Sequence, residues 1–259
     1  MKKASIIFAA MFMSLMMVAC QSESTVGKSE KSAKHLEKNV SAGSQGGFAT
    51  YSFRDFSAIQ IGGAVEVIYK QDANYSIRIE ERPDVETKVK LKDHKLYISS
   101  KSKKGIILRR IGKRPKVYIT SPHLNELDIS GASLFTSSDM KQAEFSIEVS
   151  GASSAKFGHL ECSKIEIDAS GASKVSADVK APRANVELSG ASRAEIKFVG
   201  KDIEVENSGA SRATLDLDCE VLKGDNSGAS HMTVRGYVDE VKVNTSGASK
   251  TDTSELNKD

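Results

Sequence analysis

The sequence predicts an all-β chain built as a single parallel β-helix with about 19–20 residues per coil. Three observations carry this. The tetrapeptide Ser-Gly-Ala-Ser occurs seven times, starting at Ser130, Ser150, Ser170, Ser189, Ser208, Ser227 and Ser246, with starts 20, 20, 19, 19, 19 and 19 residues apart. Apolar and polar residues alternate on both sides of each copy, which is the period of a strand. Convincing helical periodicity is missing from the chain beyond its first 20 residues.

The N-terminus comes first. Lys2 and Lys3 precede an apolar run from Ile6 to Val18, too short for a membrane span and shaped like an export signal over residues 1–19. The run ends Met17-Val18-Ala19-Cys20. It resembles the lipobox of bacterial lipoproteins, with Met17 where Leu is usual. That resemblance implies cleavage before Cys20 and diacylation of Cys20, hence a membrane partner through a lipid anchor. The rest of residues 20–50 is rich in Ser, Lys, Glu and Gly, and reads as a disordered tether that cannot bury enough apolar surface to order itself.

Residues 51–121 read as N-terminal β coils. Ser57 to Tyr69, Tyr75 to Glu80, Thr87 to Leu91, Lys95 to Ser99 and Lys116 to Thr120 alternate with period two, between turn-rich breaks. Within them, residues 101–116 carry eight basic groups and no acid: Lys101, Lys103, Lys104, Arg109, Arg110, Lys113, Arg114 and Lys116. A protruding basic hairpin or loop is expected. It is either a contact for anionic polymer or headgroups, or a solvated charge run that keeps an edge from aggregating. It has no interleaved aromatics, and the net charge of the chain is only +3, so nucleic acid is not an expected partner.

Residues 122–250 are the regular coils. Aligned on the first Ser, the residues one, three and five places before it are mostly apolar, as are those five and seven places after it. One coil cannot bury that inward face alone, whereas stacked coils share one core and pair their backbones. Gly admits positive φ at a corner, and the small Ser and Ala fit a tight bend. The unbroken parity puts Gly and the last Ser on the inward phase, and Ser hydroxyls in register are expected to form a ladder. The column just before the motif turns polar at Asn207, Asn226 and Thr245, so the late coils depend less on apolar burial. Residues 251–259 read as a polar tail at an uncapped end.

Two outward columns are charged. Asp128, Glu148, Asp168, Glu187, Glu206 and Asp225 stand two before the motif; Lys174, Arg193, Arg212, His231 and Lys250 stand four after it. Neighbours in each column should lie about 4.8 Å apart. They are candidate surface ladders: two solvated stripes, stripes that favour lateral association, or carboxylates for divalent cations. The spacing of calcium-binding β-helix repeats is absent, and no metal or cofactor is expected. Cys162 and Cys219 share an offset but lie three coils apart, about 14 Å, too far for a disulfide. Free buried thiols are expected. Seven equivalent serines without a paired His and Asp make no nucleophile site, and His94, His123, His159 and His231 are scattered, so no catalytic residue is assigned.

Certain residues carry a family resemblance. Ile61-Gly62-Gly63-Ala64-Val65 is followed by Lys95-Leu-Tyr-Ile98, then Val117-Tyr-Ile-Thr-Ser-Pro-His-Leu-Asn-Glu-Leu127, then the serial Ser-Gly-Ala-Ser turns. Over residues 53–250 this resembles the putative auto-transporter adhesin, head-GIN-domain family of Bacteroidota. The resemblance implies a right-handed parallel β-helix on an exported protein. The basic segment and the polar ending depart from the family pattern. The expected function is a non-enzymatic, lipid-anchored cell-envelope protein, an adhesin-like or scaffold module that binds through the helix surface. Its expected partners are a glycan, envelope polymer or protein, with weak self-association, and its expected location is the outer membrane. The alternatives are a polysaccharide lyase or hydrolase on a β-helix scaffold, and a self-associating structural protein.

Overall fold

A computed structural model describes residues 47–80, 82–103 and 114–257. The signal and Cys20, most of the tether, and Lys104, Arg109, Arg110 and Lys113 lie outside the described residues. The described residues form a parallel β-solenoid of about seven turns, with no helix among them.

Each coil enters its Ser-Gly-Ala-Ser corner on one face, here called A, and leaves it on a second face, B. The regular coils begin with β8 (Glu126–Ile129) on face A and β9 (Leu134–Ser137) on face B, followed by the short β10 (Met140–Lys141). Then come β11 (Glu144–Val149) on A, β12 (Ser154–Glu161) on B and β13 (Lys164–Ala169) on A. From there each strand runs on round the far corner, so β14 (Lys174–Leu188), β15 (Arg193–Asn207), β16 (Arg212–Asn226) and β17 (His231–Thr245) serve B and then A. β18 (Lys250–Leu256) closes the series on B. Pairing between coils is parallel and nearly unslipped.

The N-terminal strands are stacked out of chain order. β2 (Ala58–Gly62) lies between β8 and β6 (Lys95–Ser102), parallel to both, and β3 (Glu66–Gln71) lies between β9 and β7 (Lys116–Ser121). The chain therefore starts in the second layer, builds the first layer outside it, and returns to build the third. Antiparallel strands cover the outer edges of that first layer. β5 (Val85–Lys92) pairs with β6, β4 (Ser76–Glu80) pairs with β7, and β1 (Phe48–Tyr51) pairs with β4. An open parallel edge would leave its amides unpaired, and this cap removes that exposure. β1 also places the start of the fold at Phe48, three residues before the Tyr51 expected from sequence.

The inward columns are buried as predicted. Leu127, Ile147, Ile167, Val186 and Val205 are at most 1% exposed, and Tyr69, Phe135, Phe157 and Phe198 fill the B side. The shared core ends at the last coil. There Val241 is 40% exposed, and Thr245 is exposed too. Residues 251–256 of the polar tail are strand, paired to β17 with a shift between Thr233 and Arg235. Asn257, at φ 53°, ends the ladder. Its side-chain amide imitates the next backbone unit, accepting from Val238 N at 2.9 Å and donating to Val238 O at 3.0 Å.

The corner also corrects one expectation. The last Ser of the first six motifs is buried and Ser249 of the seventh is half-buried, but the Gly is exposed, because the chain turns before the strand parity reaches it. What requires Gly is the backbone. Gly171, Gly190 and Gly209 have φ near +70° (70°, 69° and 72°), and a Cβ on each would sit 2.7–2.8 Å from the carbonyl oxygen of the Gly one coil below. Each following Ala amide donates to that same carbonyl, as Ala191 does to Gly171 at 2.7 Å. The Gly column extends to Gly63 of β2/β3, where Ala64 N instead donates to Ser100 Oγ of the first layer at 3.0 Å.

Candidate functional site

Backbone register sets the residues of each charged column in line. Asp128, Glu148, Asp168, Glu187, Glu206 and Asp225 are consecutive partners on face A. Lys174, Arg193, Arg212, His231 and Lys250 are consecutive partners on face B. The two ladders flank the corner ridge, whose own exposed side chains are nothing larger than Ser.

The acidic ladder is short of counter-charge, with Lys95 partly offsetting the repulsion at Asp128. No ion pair reaches any of its six carboxylates among the described residues, and only Asp225 accepts a side-chain hydrogen bond, from Asn244 at 2.9 Å. Partial burial against the sheet, and then repulsion from Glu187, Glu148 and Glu166, push Asp168 up to about 6. Asp128 and Glu206 are raised for the same two kinds of reason. On the basic side, Lys174 pairs with Glu195 at 2.6 Å, while Arg193, Arg212 and Lys250 have no ion pair among the described residues. No group of three or more His, Cys, Asp or Glu side chains among the described residues is arranged to hold a metal ion.

The described part of the basic segment is partly tied into the fold. Arg114 Nε donates to Ala132 O at 2.8 Å, and Lys116 lies 3.6 Å from Glu66. Lys101 and Lys103 are exposed. These four therefore do not form one free patch.

Face B carries a feature that the column count missed. A shallow trough of about 400 Å³ crosses several coils. Its walls are two outward columns, Ser176-Glu195-Thr214 and Asp178-Lys197-Asp216-Arg235, over a floor that includes Ala177 and Ile196. The second column alternates in sign and extends to His159 at one end and Glu255 at the other. Arg235 lies 3.8 Å from Asp216, and His159 lies 3.5 Å from Asp178. Opposite charges across a strand pair stabilise modestly, whereas the acidic ladder repels itself. The alternation was legible at eight residues past the first Ser of four consecutive coils. A register slip between Lys156 and His159 hides its start. Chemically, the trough offers hydroxyls, carboxylates and cations on coils about 4.8 Å apart, with the sign of the second column changing at each step.

Cys162 and Cys219 are free and buried. Burial, with Glu161 beside the first and Asp218 beside the second, pushes both thiols up to about 11.

Comparison with known proteins agrees with this architecture. The family described as "putative auto-transporter adhesin, head GIN domain" matches residues 55–199 and 194–259. A crystal structure of a putative adhesin from Bacteroides fragilis NCTC 9343 is similar with a TM-score of 0.70 at 19% identity, covering 79% of this chain and 95% of that one. A putative adhesin from Parabacteroides merdae ATCC 43184 follows at 0.56 and 15%, covering 82% and 95%. A putative lipid binding protein from Parabacteroides distasonis ATCC 8503 is similar at 0.50 and 16%, covering 79% and 95%. At these identities the likeness is one of fold. No curated protein matches.

Proposed function

The chain belongs to the putative auto-transporter adhesin, head-GIN-domain family, and on that premise we propose that it is a non-enzymatic, lipid-anchored envelope protein that binds an extended glycan, envelope polymer or protein along its solenoid. The observation that carries this reading is the face-B trough. Its charges alternate from coil to coil, so like charge returns every second coil, about 9.6 Å, and Ser176 and Thr214 stand at that same two-coil spacing, which suits a ligand that itself repeats. The family name and the adhesin descriptions of its structural neighbours support a cell-envelope or surface setting. Cys20 supplies the anchor and residues 21–46 the tether.

Retention of the full chain on immobilised envelope polysaccharides and matrix proteins tests the proposal. The Lys197→Ala/Asp216→Ala variant is expected to lose at least about tenfold in affinity, the scale of two or three lost polar contacts. Retention unchanged by that variant, or no retained ligand together with normal adhesion of deletion cells, overturns it. Release of soluble fragments from a retained polysaccharide would move the assignment to the polymer-cleaving alternative. Lipidation is read separately, as loss of membrane association in Cys20→Ala.

A further inference from the structure

We infer that the corner ridge is a self-recognition surface, on which two copies lie side by side and parallel, related by a two-fold axis along the solenoid. The observation is the cross-section of the ridge. Its crest is bare: Gly171-Ala172, Gly190-Ala191, Gly209-Ala210 and Gly228-Ala229 are exposed and present no side chain beyond a methyl. A second crest can approach it closely. Carboxylates flank the crest on face A, and basic groups flank it at the same coil levels on face B.

Charge then selects the symmetry. A two-fold axis across the ridge would set acid against acid. A two-fold axis parallel to the solenoid sets the acidic flank of each copy against the basic flank of the other. At four shared levels it brings Asp168 opposite the partner's Lys174, Glu187 opposite the partner's Arg193, Glu206 opposite the partner's Arg212, and Asp225 opposite the partner's His231. The two-fold repeats each pairing. Both flanks advance by the same coil rise, so the four levels match without slippage. At these four levels the second copy supplies a counter-charge, where no ion pair among this chain's described residues reaches Asp168, Glu187, Glu206 or Asp225. Of the interface residues Lys174 touches the trough wall, through its ion pair with Glu195, and the charge-reversal variants below change no trough residue, so their outcome is separable from ligand binding.

Sedimentation of the full chain at about 0.1 mM, from about 0.02 M to about 1 M NaCl, reads the proposal. A dimer at low salt that dissociates at least about tenfold more readily at high salt is expected. Glu187→Lys/Glu206→Lys and Arg193→Glu/Arg212→Glu should each be monomeric alone and should pair with each other when mixed. The chain carrying all four changes should dimerise again, which separates loss of complementarity from misfolding. Ala210→Cys should cross-link to its own copy, because the parallel arrangement brings equal levels together. A monomer at low salt, a dimer that survives both charge reversals, or a mixture of the two variants that stays monomeric overturns the inference.

Discussion

Asn207 Nδ2 donates to Asn226 Oδ1, one coil away, at 3.0 Å, and both side chains are 1% exposed. The same amide nitrogens also reach the main chain beyond the corner, Asn207 to His231 O and Asn226 to Lys250 O. Ser211 Oγ donates to Asn207 Oδ1, and Ser230 Oγ donates to Asn226 Oδ1. Ser173 and Ser192, whose coils carry Ala169 and Leu188 in place of the Asn, are buried with no hydrogen-bond partner for their hydroxyls among the described residues. The corner serines thus form no continuous ladder: Ser211 and Ser230 bond an Asn of their own coil, whereas Ser133 donates to Gly63 O and Ser153 accepts from Ser133 N on neighbouring coils.

That contrast predicts opposite outcomes for one substitution. Ser211→Ala should lose about 1–2 kcal/mol in urea unfolding, because it removes the hydroxyl donor to Asn207 Oδ1 inside a buried network. Ser192→Ala should be neutral or stabilising by up to about 1 kcal/mol, since it removes an unpaired buried hydroxyl. Equal losses at the two sites would contradict the network.

Glycine in the corner column should be irreplaceable, while a neighbouring one is not. Gly190→Ala combines φ of 69° with a Cβ placed 2.8 Å from Gly171 O, and should cost about 2–4 kcal/mol. Gly62→Ala, at ordinary φ with its nearest neighbour 3.8 Å away, should change stability by less than about 1 kcal/mol. Denaturant midpoints of the two variants compare them directly.

Mild acid should stabilise the fold. Ionising Asp168 costs more in the folded chain than in the unfolded one, since its folded value stands near 6 against an ordinary 3.8. The folded state therefore holds the proton longer, and stability should fall as pH rises from about 4 to about 6. Asp128 and Glu206 act in the same direction. Asp84, Glu161 and Asp252, held below their ordinary values by hydrogen bonds, oppose it only at more acid pH. Thermal melts should show a Tm higher at pH 5 than at pH 7, with the difference reduced in Asp168→Asn.

Thiol chemistry offers a fourth check. Buried, and with values near 11, Cys162 and Cys219 should resist alkylation in the native chain at pH 8 and react fully once it is unfolded. Mass spectrometry counts the adducts, and rapid native labelling of either would contradict the packing of the far corner.

The amino-acid sequence alone determined the coil length, the inward columns from Leu127 to Val205, the membership of both charge ladders and the separation of the two thiols. A motif repeated in register leaves one way to stack equal coils, so every offset from it becomes a column in space. The tertiary structure decided what no repeat governs. It set β2 and β3 between layers made later in the chain, because Gly62-Gly63-Ala64 marks a corner without saying which corner it will lie against. It exposed the Gly of each corner, where the chain bends before strand parity would bury it. It also assembled the trough, whose columns join residues across a register slip, and it left Ser192 without the partner that Ser211 has. Such outcomes depend on contacts between coils, and those contacts exist only once the chain is wound.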